Sequence, residues 1–267
     1  LDTPGKDTWR YRESGASRVI LSTPERWAVL TETPEGAPGI DELLKEEIHG
    51  LILSPYNDPA IQEKIDLLWE NGIPCITINT DMPDSKRIAY VGSDYHKCGQ
   101  TAAGLLHLFS GDYASVGIVT GSHNVLCHEE RISGFTSHLH TKHPNIRIVD
   151  VVENGDDDYK SYEVVSDLLD RHPDLSALYF TAAGVYGGCR AVLNASLQRP
   201  LKIITFDAVL STCEMIRNGV ISATICQQPD EQGARSLSLL VDYLLTGKLP
   251  ENRCIYMDLS IKIAENL

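Results

Sequence analysis

The sequence predicts a doubly wound α/β protein of two lobes, and three observations carry that reading. Short runs rich in β-branched residues alternate with longer amphipathic segments along most of the chain. The runs are apolar throughout instead of alternating, as strands are when helices cover both faces of a parallel sheet. Roughly ten such runs exceed what one open sheet in a compact lobe usually holds, so two sheets are expected. A (β/α)8 barrel is the other architecture compatible with the same alternation.

The elements follow in order. A helix is expected over about 7–22, with no apolar strand before it, so the first strand of the series is lost or lies upstream. Strands are expected at 27–32 and at 48–54, the run IHGLILS, with a helix over 38–47 between them. The segment 59–71 shows how the helices are read: Ile61, Ile65, Leu68 and Trp69 recur at helical spacing, Pro59 suits a first turn, and Asn71-Gly72 supplies a stop. Strands at 73–79 and 88–92 then lead to a helix over 95–109, for which Asp94 is placed as the N-cap. Beyond it the strands 115–120, 146–152, 176–181, 201–206, 221–226 and 254–260 interleave with helices 125–142, 158–171, 185–197, 209–218 and 230–246. The run Asp156-Asp157-Asp158 complements a helix dipole and lacks the remaining spacing of a calcium loop. Gly99 and Gly104 are read as permitting close helix packing, and Trp27 and Trp69 as packing residues.

Composition narrows the function classes. The 267 residues are 42% hydrophobic and 22% charged, the balance of a folded globular chain. A formal net charge of −14 argues against this segment itself gripping nucleic acid, which needs a basic surface. No apolar run approaches the ~20 residues that span a membrane, and no basic-then-apolar leader opens the chain. The sequence starts at Leu1 without methionine, so an upstream leader or domain would be invisible. Seven cysteines without CxxC or Cys/His metal spacing suggest free thiols in a reducing, cytoplasmic compartment. The histidines at 138, 140 and 143 are not spaced for a metal, and no metal or cofactor is expected.

The strand ends carry the functional signal. Asn79-Thr80-Asp81, Ser93-Asp94, Gly121-Ser122-His123-Asn124, Asp207 and Gln227-Gln228 each follow an apolar run, and Arg131 lies a short way into the next helix. Open parallel sheets bind ligands beyond the carboxyl ends of their strands. The set lacks a nucleophile–base pair, a GxGxxG, a P-loop or a GxSxG elbow, so no catalytic residue is assigned and no enzyme is expected. It suits a polyhydroxylated small molecule, because carboxylates accept from hydroxyls while arginine and amides donate to them.

Residues 73–106 (IPCITINTDMPDSKRIAYVGSDYHKCGQTAAGLL), 116–135 (VGIVTGSHNVLCHEERISGF), 202–207 (KIITFD), 219–233 (GVISATICQQPDEQG) and the final IAENL together resemble the effector-binding region of LacI-type transcriptional regulators. That architecture is shared with type I periplasmic sugar-binding proteins. The resemblance implies two Rossmann-like lobes joined by three crossover strands with a sugar in the cleft. One lobe would comprise 1–110 plus about 230–252, the other about 111–229 plus 253–267. Position by position it implies ligand roles for Asp81, Arg131, Asp207 and Gln227, with His123 and Asn124 as further loop candidates and Trp9 as a stacking aromatic. Ala182-Ala183-Gly184 departs from the family's Asn-Asp, so that contact is missing or made by backbone. The implied function is effector sensing in a dimeric regulator: a homodimer that reaches DNA only through an upstream helix-turn-helix headpiece absent here, with no membrane partner. The alternative is an extracytoplasmic sugar-binding protein of a transporter or sensor receptor.

Overall fold

The structure, a computed structural model, describes residues 18–22, 27–31 and 48–267 apart from positions 56 and 124. Strands β1 (Arg18–Ser22) and β2 (Trp27–Thr31) pair antiparallel, with Arg18 opposite Thr31 and Ser22 opposite Trp27. The end of the stretch expected as a helix over 7–22 is thus a strand, where the Val19-Ile20-Leu21 run favours extended backbone over helix. Trp9, the rest of that stretch and the expected helix 38–47 lie outside the described residues.

Residues 49–267 form a separate unit built on two sheets. The first has four parallel strands in the order β11-β5-β4-β3: β3 (Leu51–Leu53), β4 (Cys75–Ile78), β5 (Ala89–Gly92) and β11 (Cys254–Tyr256). Among the described residues two helices cover it. Helix α1 (Pro59–Glu70) is capped by Asp58, whose side chain accepts from Ala60 N, and ends at Asn71 before Gly72 at φ 77°. Its Ile65 packs with Cys75 and Met82 on one face, while Ile76 and Val91 meet Leu240 of α7 (Pro229–Thr246) on the other. Successive residues of β4 therefore serve opposite layers, which is why the strand reads as unbroken apolar sequence.

The second sheet has six strands in the order β12-β10-β9-β8-β6-β7. They are β6 (Ala114–Thr120), β7 (Ile146–Glu153), β8 (Ala177–Phe180), β9 (Lys202–Phe206), β10 (Ala223–Cys226) and β12 (Ser260–Lys262). All pairs are parallel except β10–β12. Helices α2 (Tyr95–Ser110) and α3 (Leu126–Lys142) supply one cover. Helices α4 (Asp158–Arg171), α5 (Val185–Asn194) and α6 (Leu210–Arg217) supply the other. Leu106 and Leu168, both fully buried, anchor the two faces, each worth about 1.5–3 kcal/mol of burial.

The chain crosses between the sheets three times: from β5 to α2, from β10 to α7, and from β11 to β12. The boundary differs from that expected near residue 110. Helix α2 belongs to the six-stranded lobe, because Cys98, Ala102, Ala103 and Leu106 pack with Val116, Ile118, Phe135 and Ile204. Gly99 lets it approach α3: a Cβ there would strike Arg131 O, and one on Gly134 would strike His96 O. Gly104 faces open space and has no such role. The expected single strand 254–260 is two short strands in different sheets.

Candidate functional site

The polar strand ends gather where the two lobes meet. After β4 the backbone turns through Asn79 at φ 63°, after β9 through Asp207 at φ 62°, and after β10 through Gln228 at φ 54°. Asp156, beyond β7, lies at φ 60°. Non-glycine residues adopt this left-handed region at a cost, and such positions cluster at functional sites. Asp207 could have served as a helix cap, but the N-cap position of α6 is Val209. Its carboxylate accepts instead from Gln227 Nε2 at 2.9 Å.

Arg131 is nearly buried, at 4% exposure, although it carries a full charge. Its guanidinium carbon lies 3.9 Å from the Phe206 ring centre and 4.9 Å from that of Tyr95. Its NH1 donates to Thr181 O at 2.5 Å. Cation–π contact and this hydrogen bond stabilise the charge in place of water. Nε is left buried with no protein partner among the described residues, and so is Oε1 of Gln227. Asn79 is oriented by Tyr95, whose hydroxyl donates to Asn79 O and, at 3.0 Å, to Oδ1. The Asn79 amide NH2 is thereby left as a donor.

Arg131, Asp207, Gln227 and Asn79 line one cavity of about 350 Å³, with His128 and Asp156 also on its wall. A second cavity of about 640 Å³ shares Asn79, Asp207 and Gln227 with it. His128 ring nitrogen Nδ1 is within hydrogen-bond reach of Ser122 N and O. Burial pushes its pKa below the usual histidine value, against the attraction of Asp156. The segment Ala182-Ala183-Gly184 contributes no polar side chain, and the Ala183 amide is committed as well. Its N donates to Asp156 Oδ1 at 2.9 Å and its O accepts from Asn154 Nδ2 at 2.8 Å.

The other expected site residues are placed differently. Asp81 is not on the main cavity; Arg87 binds it through Nε at 2.5 Å and NH2 at 2.6 Å, and Thr77 Oγ1 donates at 2.7 Å. It lines a smaller cavity of about 210 Å³ beside Asp94 and Glu130. His123 faces Glu129, with which it pairs, and its N donates to Glu153 Oε1 at 2.6 Å. Asn124 and Trp9 lie outside the described residues. Asp94 caps α2 by accepting from Lys97 N at 2.9 Å. Among the described residues no group of His, Cys, Asp or Glu is arranged to hold a metal ion.

Two α/β lobes, three crossings and a polar cavity at the strand ends define a cleft-type ligand-binding protein. The chain belongs to the periplasmic binding protein domain family, matched over residues 32–249. It is 26% identical over 209 residues to the ribose import binding protein RbsB of Bacillus subtilis, covering 78% of this chain and 67% of the relative. It is 24% identical over 218 residues to the D-allose-binding periplasmic protein of Escherichia coli, covering 78% and 70%. The solved structure of GanP, a glucose-galactose binding protein from Geobacillus stearothermophilus, superposes with a TM-score of 0.80 at 26% identity, covering 85% and 81% of the two chains.

These relatives are named for import and for the periplasm, which overturns the expected cytoplasmic location. The cysteine argument fails for a physical reason. All seven thiols are free, yet Cys75, Cys98, Cys127 and Cys189 are buried. Burial raises Cys75 and Cys189 to about 12 and Cys98 to about 11. Thiols so protected report on packing more than on compartment.

Proposed function

We propose that the chain recognises a sugar in the cleft, as the binding component of an extracytoplasmic uptake or sensing system. One observation carries the reading: Arg131, Asp207, Gln227 and Asn79, drawn from both lobes, line one polar cavity at the strand ends. A polyol hydroxyl both donates and accepts, so it matches this mixture of carboxylate, amide and guanidinium groups. The sugars named for the relatives support the class. Binding between lobes joined by three crossings favours the arrangement in which both contact the ligand, by the ligand's differential affinity for that arrangement.

Arg131 supplies charge-assisted hydrogen bonds, Asp207 accepts from hydroxyls, Gln227 accepts through Oε1, and Asn79 donates from the opposite sheet. Asp81 holds Arg87 and shapes the loop after β4. His123 pairs with Glu129 and is not among the residues lining this cavity, while Asn124 and Trp9 lie outside the described residues. The regulator reading, with a homodimer and a DNA-binding headpiece, rests on motif resemblance; the names of the relatives favour transport. Thermal-shift screening against pentoses and hexoses tests the sugar reading, because a ligand that binds only the folded form raises the melting temperature. A panel without any shift would remove it.

A further inference from the structure

A cluster of histidines joins the ends of α2 and α3, and none of its members lines a cavity described above. His107 lies in the last turn of α2, His138 near the end of α3, and His143 at the C-cap of α3. The His107 and His143 rings stack face to face, with centres 3.8 Å apart and planes 19° from parallel. His138 flanks His143 at 5.6 Å. His107 Nδ1 is buried without a hydrogen-bond partner, and Asp112 Oδ1 stands 3.7 Å from it, too long for a hydrogen bond. Gly99 and Gly134 let the two helices touch, and the histidine stack joins their ends.

Such a stack tolerates neutral rings or a single imidazolium, but two imidazolium charges at this separation repel. The surroundings add to that repulsion. Burial, then His107, His138 and Lys142, hold His143 below the ordinary histidine value, and Asp112 alone opposes them. Asp112 is 74% exposed, so solvent and salt screen its attraction. An opened helix end therefore binds more protons than the closed one. Closure is favoured above the ordinary value of ~6.5 and weakens as pH falls through the lowered one.

We infer that the His107–His143 stack is a pH-sensitive clasp, which fastens the ends of α2 and α3 in neutral medium and releases them in acid. The inference is independent of the sugar reading. Hydrogen exchange of the full chain, read as amide protection factors between pH 8 and pH 5, tests it. The Gly111 and His143 amides close the two helix ends on His107 O and Leu139 O, each at 2.8 Å. Their protection should fall towards pH 5, by at most about tenfold per pH unit for each proton taken up on opening. The Ala195 amide makes the same kind of bond, to Ala191 O at 3.0 Å, at the end of α5, which carries no histidine, and should lose less. His107→Phe keeps a stacking ring without a titrating nitrogen. It should flatten the loss at Gly111 and His143 and move the His143 ring titration, followed by NMR, to higher pH. Equal losses at all three amides would overturn the inference, and so would a loss as steep in the variant as in the wild-type protein.

Discussion

Gln227 Nε2 donates to Asp207 Oδ1 at 2.9 Å, joining the ends of two adjacent parallel strands through side chains. The bond consumes one end of the Gln227 amide and leaves Oε1 buried without a protein donor. It also holds the Asp207 carboxylate away from the start of α6, where an aspartate would otherwise cap the helix.

Gln227→Ala and Arg131→Ala should each weaken sugar binding by about 10- to 100-fold, the range set by ~1.5–3 kcal/mol for hydrogen bonds to charged groups. Calorimetry on folded variants checks this. Full affinity in Arg131→Ala would remove Arg131 from the site.

Asp81→Ala should act on stability, not recognition. Arg87 is 4% exposed and would lose both hydrogen bonds to the carboxylate, stranding a buried charge. Breaking such a pair costs about 3–5 kcal/mol. A urea midpoint lowered accordingly, with ligand affinity of the folded protein retained, is the expected pair of results.

The contrast between these positions shows what the sequence could and could not disclose. Asp207 and Gln227 stand at strand ends, and Arg131, which lies on a helix, stood out through the family resemblance; all three line the cavity. Asp81 sat in an equally suggestive cluster, but only the fold brings Arg87 onto it. Asn79, two residues earlier, takes the cavity position through a left-handed turn that no spacing rule predicts. Helix α2 followed β5 in sequence, yet its small apolar face fitted the other sheet. Periodicity identifies a buried face without naming the surface it covers.

Gly134→Ala should destabilise the protein by about 1–3 kcal/mol, since its methyl would enter the space held by His96 O. Gly104→Ala, with nothing within 4 Å of the added carbon, should be neutral or slightly stabilising by helix propensity. Thermal denaturation of the two variants separates these cases.

Acidification should destabilise the protein through His128. Burial lowers its folded pKa below the unfolded value of about 6.5, so the unfolded chain binds more protons in that interval. The contribution is present above the unfolded pKa and lost as pH falls through the folded one. Arg131 reinforces the shift, while Asp156, Glu129 and the hydrogen bond with the Ser122 backbone oppose it. Urea titrations at several pH values, compared with His128→Asn, should show a shallower loss in the variant. Parallel curves would refute the assignment.

Reducing agent should leave the melting temperature unchanged, because none of the seven cysteines is in a disulfide. Thiol-reactive dye should label Cys75, Cys98 and Cys189 only on unfolding, as their burial and raised pKa values require.

The interleaved strand order has a consequence for biosynthesis. β11 borders one sheet and β12 the other, and both come from one short segment, residues 254–262. Neither lobe can complete its hydrogen-bonded ladder until that segment has left the ribosome, so the two sheets close late and together. A premature stop before Cys254 would expose two raw sheet edges at once and convert a folding intermediate into an aggregation seed.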